Sequence, residues 1–220
     1  MRVVTRSPAA RELVSALGYQ AETATAAGPY VVVAAGAWPA AGEQPPDTPP
    51  RRVVEYDPTR LEDILEGAIV IGAAIGDKRE GLALASHLRR RLGFIARATE
   101  GVHRPAVALG GIATAANARP WWDEVVEAAG GTPTTNVATA EFVVVLGGAE
   151  NEAEASESLD IGGSPVALAI DGMLSDVAGP GLVKVVEALA WALHRLHPDV
   201  RPAPGIMHVL TPSGWRDAAL

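Results

Sequence analysis

With 220 residues, 48% hydrophobic but only 5% aromatic, the chain can build one large α/β domain or two small ones with sizeable cores. Its formal charge of −8 and pI near 5.1 exclude nucleic-acid backbone binding, which needs clustered Lys and Arg. The absence of cysteine excludes disulfides, thiol catalysis, iron–sulfur clusters and Cys-type zinc sites.

A short strand from Arg2 to Thr5 opens the chain. Ser7-Pro8 then starts a helix, because Ser accepts from the free amides of a first turn and Pro suits its first position. Gly18 ends that helix. A polar strand from Gln20 to Thr25 leads to the buried-looking run Tyr30-Val31-Val32-Val33. Residues 38–50, with five prolines in thirteen positions, read as a linker that neither a regular helix nor a central strand can accommodate. Arg52 to Tyr56 reads as a strand, Asp57-Pro58-Thr59 caps a short helix through Leu65, and Ala68 to Ala74 reads as a second apolar strand. Asp77 to Leu92 reads as an amphipathic helix ended by Gly93, and its run Arg89-Arg90-Arg91 as a solvated face. In the second half, strands are expected at Pro105–Leu109, Phe142–Leu146 and Pro165–Ile170, and helices at Ala118–Ala129, Glu150–Leu159 and Gly181–Leu196. The tail carries one more strand signal, Ile206 to Leu210.

The same unit occurs twice. ELVSALG from Glu12 and YVVVAAGA ending at Ala37 align without a gap on EVVEAAG from Glu124 and FVVVLGGA ending at Ala149. At this offset of 112, Pro8 falls on Pro120, Gly18 on Gly130 and Tyr30 on Phe142. Further along, pairing Ile69 with Val166 lowers the offset to about 97, which the proline linker approximately accounts for. Unalternated Val/Ile/Leu runs separated by helices indicate parallel strands buried on both faces. The expected fold is therefore α/β, with internally duplicated Rossmann-like or flavodoxin-like units, a mostly parallel sheet and helices on both faces. Unit A spans 1–100 with the Pro-rich linker 38–50, and unit B spans 101–220 with the C-terminal tail.

In such a sheet, ligands bind beyond the carboxyl ends of the strands, near helix N-termini. Glycine-rich turns there let backbone amides approach a phosphate or carboxylate. This selects Gly110, Gly111 and Thr114, then Gly76 and Asp77, and Gly179 before the last helix, with Asp77 or Asp171 available for ribose hydroxyls. Neither GxGxxG nor GxxxxGK[ST] occurs, so the glycines equally suit ordinary turns. Glu150, Glu152, Glu154 and Glu157 argue against an anion after the strand Phe142–Leu146. His194 and His197 have a spacing that could share a ligand, but no third ligand is suggested and no metal is expected. No GxSxG elbow occurs. Trp121 and Trp122 point about 100° apart on a helix, so one can be core and the other an interface anchor; their counterparts in unit A are Ala9 and Ala10.

Two family resemblances follow from particular stretches. VVEAAGGTPTTNVATAEFVVVLGG with ESLDIGGSPV, between Val125 and Val166, resembles a BRCT domain, although no Lys stands where phosphopeptide readers carry one. That resemblance implies a tandem protein-interaction module without phosphate reading. EDILEGAIVIGAAIGDKREGLALASHLRRRLGFIARATE, from Glu62 to Glu100, is similar to the dinucleotide-binding domain of electron-transfer flavoprotein alpha subunits. Ala98-Thr99 stands here in place of that family's Ser-Arg, and its Gly-Gln-Thr-Gly stretch is absent.

The functional expectation is a nucleotide or other small anionic ligand bound between the two units. The alternative is a non-catalytic assembly or interaction module, as a homo-oligomer or with a protein partner. A lyase or transferase using His103 or Asp171 as acid–base is the third reading. No cofactor is specified, and neither nucleic acid nor membrane is expected as a partner. The opening MRVVTRSPAARELV lacks the apolar core of a secretory signal, so a cytoplasmic location is expected.

Overall fold

The computed structural model describes residues 2–22, 30–36, 39, 50–110, 121–146, 166–171, 179–196, 201–211 and 214–218. The chain divides into two compact units: Met1–Arg90 with Ala178–Pro180, and Arg91–Val177 with Gly181–Leu220.

The first unit holds β1 (Arg2–Thr5), α1 (Pro8–Ala16), β2 (Ala21–Glu22), β3 (Tyr30–Ala34), β4 (Arg52–Glu55) and α2 (Leu61–Ile75). It also takes the start of α3 (Lys78–Ala98), within which the division between the units falls. Its sheet has the order β2-β1-β3-β4, and every pairing is parallel. Val3, Val4, Tyr30 and Val31–Val33 are fully buried, as unalternated apolar strands require. Ser7 caps α1 as read from the sequence, its hydroxyl accepting from Ala10 N–H at 3.2 Å.

The second unit holds β5 (Ala106–Gly110), α4 (Trp122–Ala128), β6 (Thr132–Thr134), β7 (Phe142–Leu146), β8 (Val166–Ile170), α5 (Gly181–His194), β9 (Met207–Thr211) and β10 (Gly214–Asp217). A 3-10 turn at Val137–Thr139 precedes β7. The sheet order is β10-β9-β8-β7-β5-β6. The pairings among β5 to β8 are parallel, and β9 and β10 add antiparallel strands beyond β8.

The duplication is therefore present in the topology. In each unit the second strand flanks the first, the third lies on the other side, and the fourth flanks the third. The register makes Arg2 correspond to Val107, since these residues pair with Tyr30 and Phe142, themselves equivalent. Likewise Arg52 corresponds to Ala167, since they pair with Val31 and Val143.

This register corrects the late part of the sequence alignment. Ile69, paired above with Val166, lies in α2 and not in a strand. The strand that matches β8 is β4, so the proline-rich stretch is not an insertion in one unit: a long connection joins the third and fourth strands of both. Ala68–Ala74 is helical because its core residues recur at helical spacing: Leu61, Ile64, Leu65, Ala68, Ile71 and Ile75 are all buried. Asp63 Oδ2 caps the start, accepting from the Thr59 and Arg60 amides at 2.9 Å each. Gly76, at φ 90°, ends the helix in the left-handed conformation. The similarity to the electron-transfer flavoprotein domain thus falls on two helices where that reading needs a strand.

Gly93 does not end α3, which continues to Ala98 with a buried stripe through Ala85, Leu88 and Ile95. Arg89 and Arg91 are paired: Arg89 donates to Glu62 at 2.6 Å, and Arg91 makes a two-pronged bond to Glu187 at 2.7 and 2.6 Å. The expected helix at Glu150–Leu159 lies outside the described residues.

Candidate functional site

The carboxyl ends of the parallel strands are the places to examine in each unit, because there the first and third strands lead their connections to opposite sides. In the first unit the two strands are β1 and β3. Thr5 is the last residue of β1 and is 2% exposed; its hydroxyl is buried with no hydrogen-bond partner among the described residues. Tyr56 follows β4, with its amide held by Ala34 O at 2.8 Å, and its hydroxyl is likewise buried and unpartnered. Thr5 stands level with Val33 and Val33 with Val54, so Thr5, Val54 and Tyr56 share one face of the sheet. The Tyr56 ring lies on Gly67 of α2, where a Cβ would collide with it. Burial raises the phenol pKa, and the carboxylates of Glu12 and Asp63 push it in the same direction. Gly179 lies against the Glu12 carboxylate so closely that any side chain there would displace it. Thr5, Glu12, Tyr56 and Gly179 together form the polar end of the first unit, and only Gly179 was selected from the sequence.

In the second unit the corresponding strands are β5 and β7. Gly110 is the last residue of β5, where a Cβ would strike Val143 Cγ1. Asp171 follows β8, its amide donating to Ile206 O at 3.0 Å. Trp121 and Trp122 begin α4 but are 3% and 4% exposed. Both are core, like Ala10 in the first unit, which removes the reading of one of them as an exposed interface anchor. Gly111 and Thr114 lie outside the described residues.

Gly76 and Asp77 stand elsewhere. They join α2 to α3 and do not follow a strand. The Asp77 carboxylate caps α3 through Glu80 N–H at 3.3 Å and accepts from the Tyr19 hydroxyl at 3.1 Å. Tyr19 follows α1 on the way back to β2, so this turn lies at the amino ends of the strands. Asp77 is accordingly a helix cap, not a ribose ligand at the carboxyl edge.

His103 is also at an amino end. Its ring meets Glu141 at 3.0 Å, and the same Glu141 oxygen accepts from Ala106 N–H at 3.0 Å, closing the start of β5. The Ala106 amide and His103 together lower the Glu141 pKa. His103 is thus a surface residue hydrogen-bonded to Glu141, at the far end of β5 from the carboxyl ends. His194 Nε2 is buried against Gly130 with no hydrogen-bond partner. Among the described residues, no group of three His, Asp or Glu side chains could hold a metal ion. No helix among them is long and apolar enough to cross a membrane.

The sequence matches no family model and no curated protein. Solved structures do resemble it. A periplasmic heme-binding protein from Roseiflexus sp. RS-1, in apo form, is 16% identical with a TM-score of 0.56, covering 88% of this chain and 99% of that one. A periplasmic heme binding protein from Pseudomonas aeruginosa is 18% identical with a TM-score of 0.58, covering 98% and 97%. A periplasmic binding protein from Veillonella parvula is 11% identical with a TM-score of 0.60, covering 89% and 91%. At these identities the likeness is one of fold, the α/β fold of periplasmic binding proteins. The cytoplasmic expectation is overturned by the same findings, since each of these proteins is described as periplasmic.

Proposed function

We propose that this chain is a binding protein for a small ligand, taken up at the carboxyl ends of its parallel sheets and carried outside the cytoplasm. The observation that supports it most is the paired topology: parallel strands in the order β2-β1-β3-β4 in one unit and β6-β5-β7-β8 in the other, in the fold of periplasmic binding proteins. Heme is the first ligand class to test. It is a compact, largely apolar molecule with two carboxylates, which agrees with a small anionic ligand, and two of the similar structures are of heme-binding proteins. A nucleotide is the weaker candidate, because no phosphate-binding glycine motif occurs and none of those three proteins is described as a nucleotide binder.

The test is a titration of the purified chain with hemin, with ATP and NAD in parallel, followed by absorbance and thermal unfolding. Saturable binding that stabilises the chain by about 2.7 kcal/mol at 100 times the dissociation constant is expected for heme. A shift with a nucleotide alone would overturn the ligand class. No shift with hemin or with other iron compounds would overturn the reading as a whole.

A further inference from the structure

We propose that the free edge of β4, with the hollow between it and α2, is a docking surface for an extended basic segment of another protein. This goes beyond the ligand-binding reading and does not depend on it. Among the described strands β4 pairs only with β3, so its outer edge offers backbone amides and carbonyls to an added strand. Beside that edge lies a hollow of about 210 Å³. It is lined by the apolar Val54, Val70 and Ile71, by Tyr56, and by the carboxylate residues Glu55, Asp57 and Glu66. No Lys or Arg lines it. Asp63, also on the wall, is already committed to capping α2.

The surroundings narrow the occupant. Val70, on the wall of the hollow, is 47% exposed, so an incoming strand finds apolar surface next to the carboxylates. A lysine or arginine side chain suits this arrangement, its methylene stem on Val70 and its charge among the carboxylates. Arg52 stands at the amino end of the same strand, which directs the basic side chains to the carboxyl end. A second copy of this chain would set the same acidic rim against itself in a two-fold pairing, with −8 on each partner. Nucleic acid and anionic lipid are repelled by the same charge.

The test is calorimetry of the full chain with a capped peptide of alternating Lys and Val, a Glu–Val peptide of equal length, and the variant Glu55→Gln/Glu66→Gln. Both glutamates are exposed, so the substitutions leave the core untouched. The Lys–Val peptide is expected to bind at low salt, at least tenfold more weakly to the variant, while the Glu–Val peptide does not bind. Equal affinity for the variant would overturn the proposal by showing a diffuse attraction to net charge, as would no binding at low salt. Concentration-dependent self-association lost in the variant would overturn it in favour of a second copy. Tyr56 also lines the hollow, so hemin titration of the same samples keeps the two proposals apart: the Glu55 and Glu66 substitutions are expected to leave hemin binding unchanged while weakening the Lys–Val peptide.

Discussion

Tyr56 places its hydroxyl inside the first unit without a partner, and Thr5 does the same on the same sheet face. An unsatisfied buried hydroxyl costs about 1–3 kcal/mol, whereas replacing it by an apolar group of the same shape is neutral or stabilising. Tyr56→Phe is therefore expected to leave the unfolding free energy read from urea denaturation unchanged or raise it by up to about 1 kcal/mol. A loss of stability would show that the hydroxyl is bonded in solution. Gly67→Ala should act the other way, because its Cβ meets the Tyr56 ring; overpacking of this kind costs about 1–3 kcal/mol. His194 supplies a pH test. Burial lowers its pKa, the nearby Gly130 and Ala129 carbonyls oppose that, and the charges of Arg104 and His103 reinforce it. With the folded value below the unfolded one of about 6.5, the unfolded chain binds the proton first. Stability is then complete above pH ~6.5 and declines as pH falls through the folded value. Denaturation midpoints from pH 8 to pH 5 should show that decline, and His194→Gln should flatten it. Glu141, with its pKa lowered, acts in a separate window: its contribution is present above the usual carboxylate range and is lost only at lower pH.

At the scale of elements, the meeting of α2 and α3 in the first unit rests on two glycines. A Cβ on Gly81 would collide with the Ala68 carbonyl, and one on Gly72 would press on the Gly81 backbone. Gly81→Ala raises helix propensity by about 1 kcal/mol in isolation. Here it is expected to destabilise instead, since backbone atoms have no rotamer with which to move aside. Thermal unfolding of that variant checks the sign. The same pair of helices shows where sequence patterning was ambiguous. The run Ala68–Ala74 is apolar throughout and contains Ile69-Val70-Ile71, so its composition suits a buried strand. The decision lay in its flanks, with Asp63 three residues after Arg60 at one end and Gly76 at the other. Those caps give it the length of a helix, and a seven-residue window hides them. Gly93 misled in the opposite sense, because glycine is tolerated inside a long helix whose buried stripe continues to Ile95.

At the scale of the whole chain, the fold was legible because it is repeated. Two Val-rich strands with the same helix before them establish a parallel α/β plan, and the paired strand orders bear it out. The polar end of the first unit was not legible, since Thr5 and Tyr56 belong to no spacing motif and share a face only through strand register, while Glu12 lies against Gly179, far away along the chain. The two units also differ where the plan allows function. Arg6 and Ser7 alone separate β1 from α1, whereas residues 111–121 separate β5 from α4. The equivalence Arg2 to Val107 and Pro8 to Pro120 assigns seven extra residues to that second turn. The closure entropy of a longer connection grows only slowly with its length, by about 0.6 kcal/mol per doubling. Excising residues 112–118 is expected to move the melting temperature by only a few degrees while weakening hemin binding at least tenfold. Unchanged binding would place the ligand on other turns, with the end formed by Thr5, Tyr56 and Gly179 the first of these to mutate.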